Sequence, residues 1–189
     1  MKSKFAIISI IFSIIILFTS CSVQTNDLAE QNETAGPALL DIDYGGMDFF
    51  TDGYESVEFA GQIDGDSTLL YMDGQSVEVR FLAIDTPEMD VGDDELREIA
   101  AAAKEFTGDM LANARSIIIE KDSQSEAYDK YGRLLAWVWA DGVLLNHLLV
   151  SRGLATVRYL YGDYKYISHL FEAQDNAIDN GAGVWDLPD

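Results

Sequence analysis

Three short stretches of the chain bring together residue types that suit a phosphodiester. Asp64-Gly65-Asp66-Ser67 is a tight turn presenting carboxylates. The run Arg80-Phe81-Leu82-Ala83-Ile84-Asp85-Thr86-Pro87-Glu88 delivers an arginine and then two acids at a stop fixed by proline. Asp129-Lys130-Tyr131-Gly132-Arg133 is a loop with an arginine immediately before an apolar run. Asp66 and Asp85 are hard oxygen ligands suited to one Ca²⁺, with backbone carbonyls and waters completing its shell. Such an ion neutralises phosphate charge and polarises phosphorus. Arg80 and Arg133 each offer a planar fork to phosphoryl oxygens, where charge grows in the transition state. Glu88 is left to orient or deprotonate the attacking water. Tyr131, Tyr159 and Tyr161 can stack on bases or hydrogen-bond the phosphate edge. Taken alone, an Asp-Gly-Asp turn is usually only a turn, and a strand arginine is more often a salt-bridge partner. The signal lies in all three together.

These side chains need a frame, and the hydrophobic periodicity predicts one. Residues 57–63 alternate as a strand, 67–72 form a second, and Asp73-Gly74 is a strong hairpin signal before a third over 77–84, stopped by Pro87. The period then changes. Leu96, Ile99, Ala100, Ala103, Phe106, Met110 and Leu111 recur mostly at three- and four-residue spacing, predicting a helix over 95–114 with acids at its start. Two more strands follow over 117–119 and 134–139, then a helix over 144–152 ended by Gly153 and another over 167–180 ended by Gly181. Trp137, Trp139 and Trp185 read as core or wall residues. Tyr159 and Tyr161 alternate on an extended segment and would share one face. The expected class is α+β, mainly β: a five-stranded, partly open barrel of the oligonucleotide-binding type with three helices.

Charge limits what such a barrel can bind. The chain has 12 Lys and Arg against 33 Asp and Glu, a formal net charge of -21. All ten bases beyond residue 21 lie between Arg80 and Lys165, so residues 56–189 carry ten bases against 25 acids. An acidic surface of this kind excludes indiscriminate attraction to nucleic acid; binding requires a local positive cleft. One cysteine excludes an internal disulfide framework and a Cys-based zinc cluster.

The N-terminal pattern is a targeting signal. Lys2 and Lys4 precede an almost continuous apolar run over 6–18, too short to span a bilayer comfortably. It ends in Phe18-Thr19-Ser20-Cys21, which resembles a bacterial lipobox. The expectation is a lipoprotein signal peptide over 1–21, lipidation of Cys21 and an extracytoplasmic, membrane-tethered chain, with plain secretion as the alternative. Residues 22–55 contain no Lys or Arg but eight acids, and read as a flexible acidic linker before a domain over 56–189.

The ordered motifs resemble the staphylococcal-nuclease-like thermonucleases. The first turn looks like that family's calcium-binding turn, residues 80–88 like its signature strand, and residues 129–133 like its second arginine motif. Ala140-Asp141-Gly142, Asn146, Gly153-Leu154-Ala155, Tyr159-Leu160-Tyr161 and Gly183-Val184-Trp185 continue the likeness, which covers roughly residues 56–185. Several ordered motifs in one chain are more specific than any single pattern. The resemblance implies a Ca²⁺-dependent nuclease on DNA and RNA that cuts on the 5′-oxygen side and leaves 3′-phosphates, acting as a monomer. Carried over by position, Asp66 and Asp85 would be side-chain calcium ligands and Thr86 a carbonyl ligand. Arg80, Glu88 and Arg133 would be catalytic, and Lys130, Tyr131, Tyr159 and Tyr161 would contact the nucleotide. The runner-up is a non-catalytic nucleic-acid- or protein-binding surface module on the same fold. One departure stands out: residues 89–98 carry Asp90, Asp93, Asp94 and Glu95 where relatives often carry lysines.

Overall fold

The computed structural model describes residues 36–187 except Val91. The expected signal peptide, Cys21 and the start of the linker lie outside the described residues.

Strand β1 (Tyr54–Gln62) pairs antiparallel with β2 (Ser67–Met72) through its second half and with β5 (Ile117–Glu120) through its first. It can serve both because the register slips by one residue between Phe59 and Gly61, a bulge that bends the strand. The Asp73-Gly74 turn has both residues at positive φ, 50° and 76°, and leads antiparallel into β3 (Gln75–Phe81). Strand β6 (Leu134–Ala140) lies antiparallel to β5 and parallel to β3, with Arg80 opposite Leu135. That last pairing closes the barrel, where the sequence predicts a partly open one. It joins strands more than fifty residues apart, so no local pattern announces it.

The third strand ends earlier than predicted. After Phe81 the chain turns through Ala83 at φ 62°, and Ile84–Asp85 form a separate short strand, β4, beside β8 (Thr156–Val157). The hairpin after β6 returns as β7 (Val143–Leu144). Helix α1 (Asp94–Asn113) is capped by Asp93, whose side chain accepts from Leu96 N, and buries Ala100, Ala103, Thr107 and Leu111 along one stripe. Helix α2 (Leu145–Ser151) packs on the far side of β6, and α3 (Ile167–Asp179) packs on α2 and β8. Strand β6 is therefore buried almost throughout, at Leu134 and over 136–140. Trp137 and Trp139 are fully buried wall residues set edge-to-face on Tyr166, with ring centroids 5.2 and 5.5 Å apart. Their indole N–H groups donate to Asp122 and Glu120 at 2.9 and 3.0 Å.

Packed structure begins before residue 56. Phe49 is fully buried, Tyr44 nearly so, and Ala38 bridges Val143. The backbone N–H of Phe49 donates to the buried Glu55 carboxylate at 3.3 Å. Within the described residues, the segment read as the end of a flexible linker is a cover strapped over the barrel. Its aromatic residues outweigh its acidic composition: burying one Phe is worth about 2 kcal/mol.

Candidate active site

The Asp64–Asp66 turn sits on α1. Thr107 donates to the Gly65 carbonyl at 2.7 Å, and a Cβ on Gly65 would stand 2.6 Å from Ala103 Cβ and 2.7 Å from Thr86 Cγ2. Only glycine lets the turn come this close to both the helix and the residue after β4, Thr86. The Asp66 carbonyl accepts from Phe81 N at 2.8 Å, tying the turn to β3. Asp66 is thereby carried inside, 4% exposed, with Oδ2 accepting from Thr86 N at 2.8 Å and Oδ1 from the Ser67 hydroxyl at 3.2 Å.

Arg80 is the centre of the arrangement. Its Nη1 donates to the carbonyls of Phe81 and Ile84 at 3.0 and 2.9 Å, stitching the β3–β4 corner. Its Nη2 lies 3.0 Å from Asp66 Oδ2 and 3.1 Å from Asp85 Oδ1. One buried guanidinium thus gathers two carboxylates from different elements. The Tyr159 ring covers it, 5.8 Å from Cζ.

One cation does not balance the acids present. Burial pushes the Asp66 carboxyl up to about 7, with Asp64 and Asp85 adding to the rise and Arg80 opposing it. Burial likewise raises Asp85 against Arg80. Glu88 is exposed, yet its pKa is raised by partial desolvation and then by Asp64, Asp85 and Asp90. Glu88 therefore belongs to the same electrostatic cluster.

Arg133 stands at the start of β6, beside β3. Its Nε donates to Asp129 Oδ2 at 2.7 Å, and Asp129 Oδ1 accepts from the backbone of Tyr131 and Arg133 at 2.8 and 3.0 Å. Burial works against the Arg133 charge, but Asp129 and then the fields of Glu78 and Asp66 hold its pKa above the ordinary value. Lys130 Nζ and Arg133 Cζ lie 4.8 and 5.5 Å from the Tyr131 ring centroid. Tyr131 and Tyr161 are 72% and 83% exposed, free to meet a ligand. Tyr159 and Tyr161 do not share a strand face as predicted, because Tyr159 has φ 59° and breaks the extended run. The turn sends Tyr159 to Arg80, while Tyr161 contributes to the field at Lys130.

The residues named from sequence thus form one carboxylate–arginine cluster (Asp66, Arg80, Asp85, Thr86, Glu88) and one exposed cationic–aromatic loop (Lys130, Tyr131, Arg133), with Tyr159 on the first and Tyr161 near the second. Among the described residues, no three His, Cys, Asp or Glu side chains form a ready cage for a metal ion. The donor set still suits a hard divalent cation. Two carboxylates converge on one point, and burial, with Asp64 adding, raises the pKa of both. Sequence reasoning names Asp129 and Asn146 within motifs without giving either a role, and does not single out Thr107. Asp129 orients Arg133, and Thr107 holds the Gly65 turn. Asn146, fully buried, accepts from Val138 N and donates to Leu82 O at 3.1 and 2.9 Å, fixing the strand corner. The only advance signal for Asp129 is its place four residues before Arg133.

The model of the family described as Staphylococcal nuclease homologue matches residues 78–187. The chain belongs to that family. The match takes in every site residue named above except Asp66, which lies just before it. Two thermonucleases are also similar to this chain. That of Staphylococcus intermedius is 33% identical over 124 residues, 66% of this chain and 72% of its own. That of Staphylococcus hyicus is 32% identical over 123 residues, 65% and 71%. Endonuclease YncB of Bacillus subtilis is 32% identical over 124 residues, 65% of this chain and 58% of its own. Nuclease relatives of this kind support a nuclease function, that of a hydrolase acting on nucleic acids. The closed five-stranded barrel with three helices is the staphylococcal-nuclease fold.

Proposed function

We propose that the chain is a Ca²⁺-dependent nuclease that hydrolyses DNA and RNA to 3′-phosphate products. The observation that carries this reading is the single guanidinium of Arg80 holding Asp66 and Asp85 together at a buried, under-neutralised point. Asp66, Asp85 and the Thr86 carbonyl would hold the calcium ion. When bound, it supplies Lewis acidity and neutralises phosphate charge. Glu88 takes or orients a proton of the attacking water, and its raised pKa makes it a stronger base for that role. Water adds to phosphorus, the bond to the 5′-oxygen breaks, and that oxygen takes a proton from solvent and leaves as a hydroxyl. Arg80 and Arg133 donate into the charge that develops on the phosphoryl oxygens. Lys130, Tyr131, Tyr159 and Tyr161 hold the adjoining nucleotide. We further place the protein outside the cytoplasm as a monomer, tethered through lipidated Cys21 or secreted, on the strength of Lys2, Lys4 and the apolar run before Cys21.

A second reading is a binding module without catalysis. It is favoured by one fact: both site arginines already have carboxylate partners. The two are separated by incubating residues 22–189 with single-stranded DNA, with Ca²⁺ or a chelator, beside Arg133→Ala. Calcium-dependent cleavage lost in the variant supports the nuclease. A folded, calcium-binding protein that leaves the DNA intact refutes it in favour of the module.

A further inference from the structure

We propose that Arg158 is a substrate-binding residue that grips a backbone phosphate of the nucleic acid beside Asp85. This rests on the nuclease reading and adds to it a contact that none of the motifs above contains.

The placement follows from the β4–β8 ladder. Asp85 lies opposite Thr156 and Ile84 opposite Val157. The Arg158 backbone N–H donates to the Ala83 carbonyl at 3.0 Å, carrying the pairing one step further. Side chains alternate along a strand, and cross-strand partners share a face. Arg158 therefore stands on the face of Thr156 and Asp85, as the diagonal neighbour of Asp85, about 7–8 Å away and within reach of a long side chain. Electrostatics agree with the geometry. Arg80 and then Arg158 act by charge on the Asp85 carboxylate.

Alternation would send the next residue, Tyr159, to the opposite face. Its left-handed backbone, at φ 59°, is an uncommon conformation for a bulky residue. It turns the ring back to Arg80. Two consecutive side chains, one cationic and one aromatic, thereby border the same carboxylate cluster.

The charge of Arg158 is also uncommitted. Among the described residues, Arg80 is paired with Asp66 and Asp85, Arg133 with Asp129, Lys165 with Glu120, Arg115 with Asp141 and Arg97 with Asp94. Arg158 is exposed and forms no ion pair within 4.0 Å among the described residues. Residues 89–98, which follow Glu88, are acidic and repel a polyanion. A guanidinium at the rim, not already neutralised, matches a phosphate by charge and by fork geometry.

The test compares the full chain with Arg158→Gln, Arg158→Lys and Arg115→Gln. The last removes the same charge beyond the C-terminal end of α1, where Arg115 is exposed and 3.6 Å from Asp141. Cleavage of a labelled single-stranded DNA oligonucleotide is followed at saturating calcium from about 50 to 200 mM salt, where each phosphate contact contributes a slope of about 0.7 for single strands. Arg158→Gln is expected to raise KM about tenfold, to move kcat far less, and to shift the log–log salt slope by about one contact toward weaker screening. Arg158→Lys should recover the slope, and Arg115→Gln should resemble the unmodified chain. An Arg158→Gln variant with unchanged KM and slope, or one no different from Arg115→Gln, overturns the assignment. If the unmodified chain does not cleave, the nuclease reading falls. The same salt series read by fluorescence anisotropy of the bound oligonucleotide then decides Arg158: a slope lost in Arg158→Gln supports it, and an unchanged slope overturns it.

Discussion

Asp66→Asn should make the calcium-free protein more stable while abolishing activity. Asp66 is buried, and its carboxyl is pushed from 3.8 up to about 7, by burial first and against Arg80. A carboxyl raised in the fold binds more protons folded than unfolded. Its contribution is therefore fully present below the unfolded pKa and is lost as pH rises from about 4 to about 7. At about 1.4 kcal/mol per pKa unit, ionising Asp66 in the metal-free fold costs on the order of 4 kcal/mol. A neutral amide avoids that cost and can still accept from Thr86 N. Its oxygen in the place of Oδ2 also still faces Arg80, while its NH2 replaces Oδ1, which accepted from the Ser67 hydroxyl, and that mismatch returns about 1–3 kcal/mol of the gain at every pH. The net expectation is a gain of about 2 kcal/mol near pH 8 that falls with pH and becomes a loss of about 2 kcal/mol near pH 4. Urea unfolding of both proteins in chelator, at matched m values, measures it. Added calcium should then stabilise the unmodified protein and not the variant. An Asn variant that is less stable at pH 8, or a difference that does not vary with pH, would refute the reasoning. Either would mean that the attraction of Arg80 outweighs the desolvation of Asp66.

Three further outcomes follow from the contacts. Arg133→Ala should lower kcat by about 10²–10³, whereas Asp129→Ala, which frees the guanidinium without removing it, should lose less. The double variant should be no worse than Arg133→Ala, as expected for residues acting as one unit; additive losses in single-turnover assays would separate them. Gly65→Ala should cost about 1–3 kcal/mol through overpacking against Ala103 and Thr86. It should also weaken calcium binding by displacing Asp66, and calorimetric titration showing unchanged affinity would contradict that placement. Phe49→Ala should destabilise the barrel by about 3–5 kcal/mol, the loss for emptying a filled aromatic site. A melting temperature within a degree or two of the parent would restore residues 36–53 to the status of a linker.

The sequence carried the local structure well, because each piece has a local cause. The alternating strands, the Asp73-Gly74 turn, the α1 stripe and the family motifs are all readable over a dozen residues or fewer. What it hid is non-local. Pairing of β3 with β6 closes the barrel through backbone atoms that every residue shares. The corner at Ala83 splits a run that looks like one continuous strand, since residues 77–84 are as apolar and β-branched on one side of the turn as on the other. The packed segment before β1 was masked by its own acids, which stay at the surface while Phe49 and Tyr44 go inside. The site residues were legible as types and order, but their engagement was not. That Arg80 spends both terminal nitrogens on carbonyls and carboxylates depends on two turns and a strand meeting at one point.

The same geometry reconciles an acidic body with a polyanionic substrate. Asp64, Asp66, Asp85 and Glu88 influence one another, and the only buried cation among them is Arg80. A bare cluster of this kind repels phosphate, and burial first, with Asp64 and Asp85 adding, pushes the Asp66 carboxyl up to about 7. On the proposed reading, a bound divalent ion removes both defects at once. It lowers the cost of keeping the carboxylates ionised, and it reverses the sign of the local potential where the phosphate must sit. Calcium and substrate then favour each other reciprocally, since each reduces the charge imbalance that the other meets. Net charge elsewhere on the surface matters chiefly for the rate of encounter, and salt screens it beyond about 10 Å. Affinity is set within that distance, by the ion, by Arg133 and by any cation at the rim whose charge is not already paired.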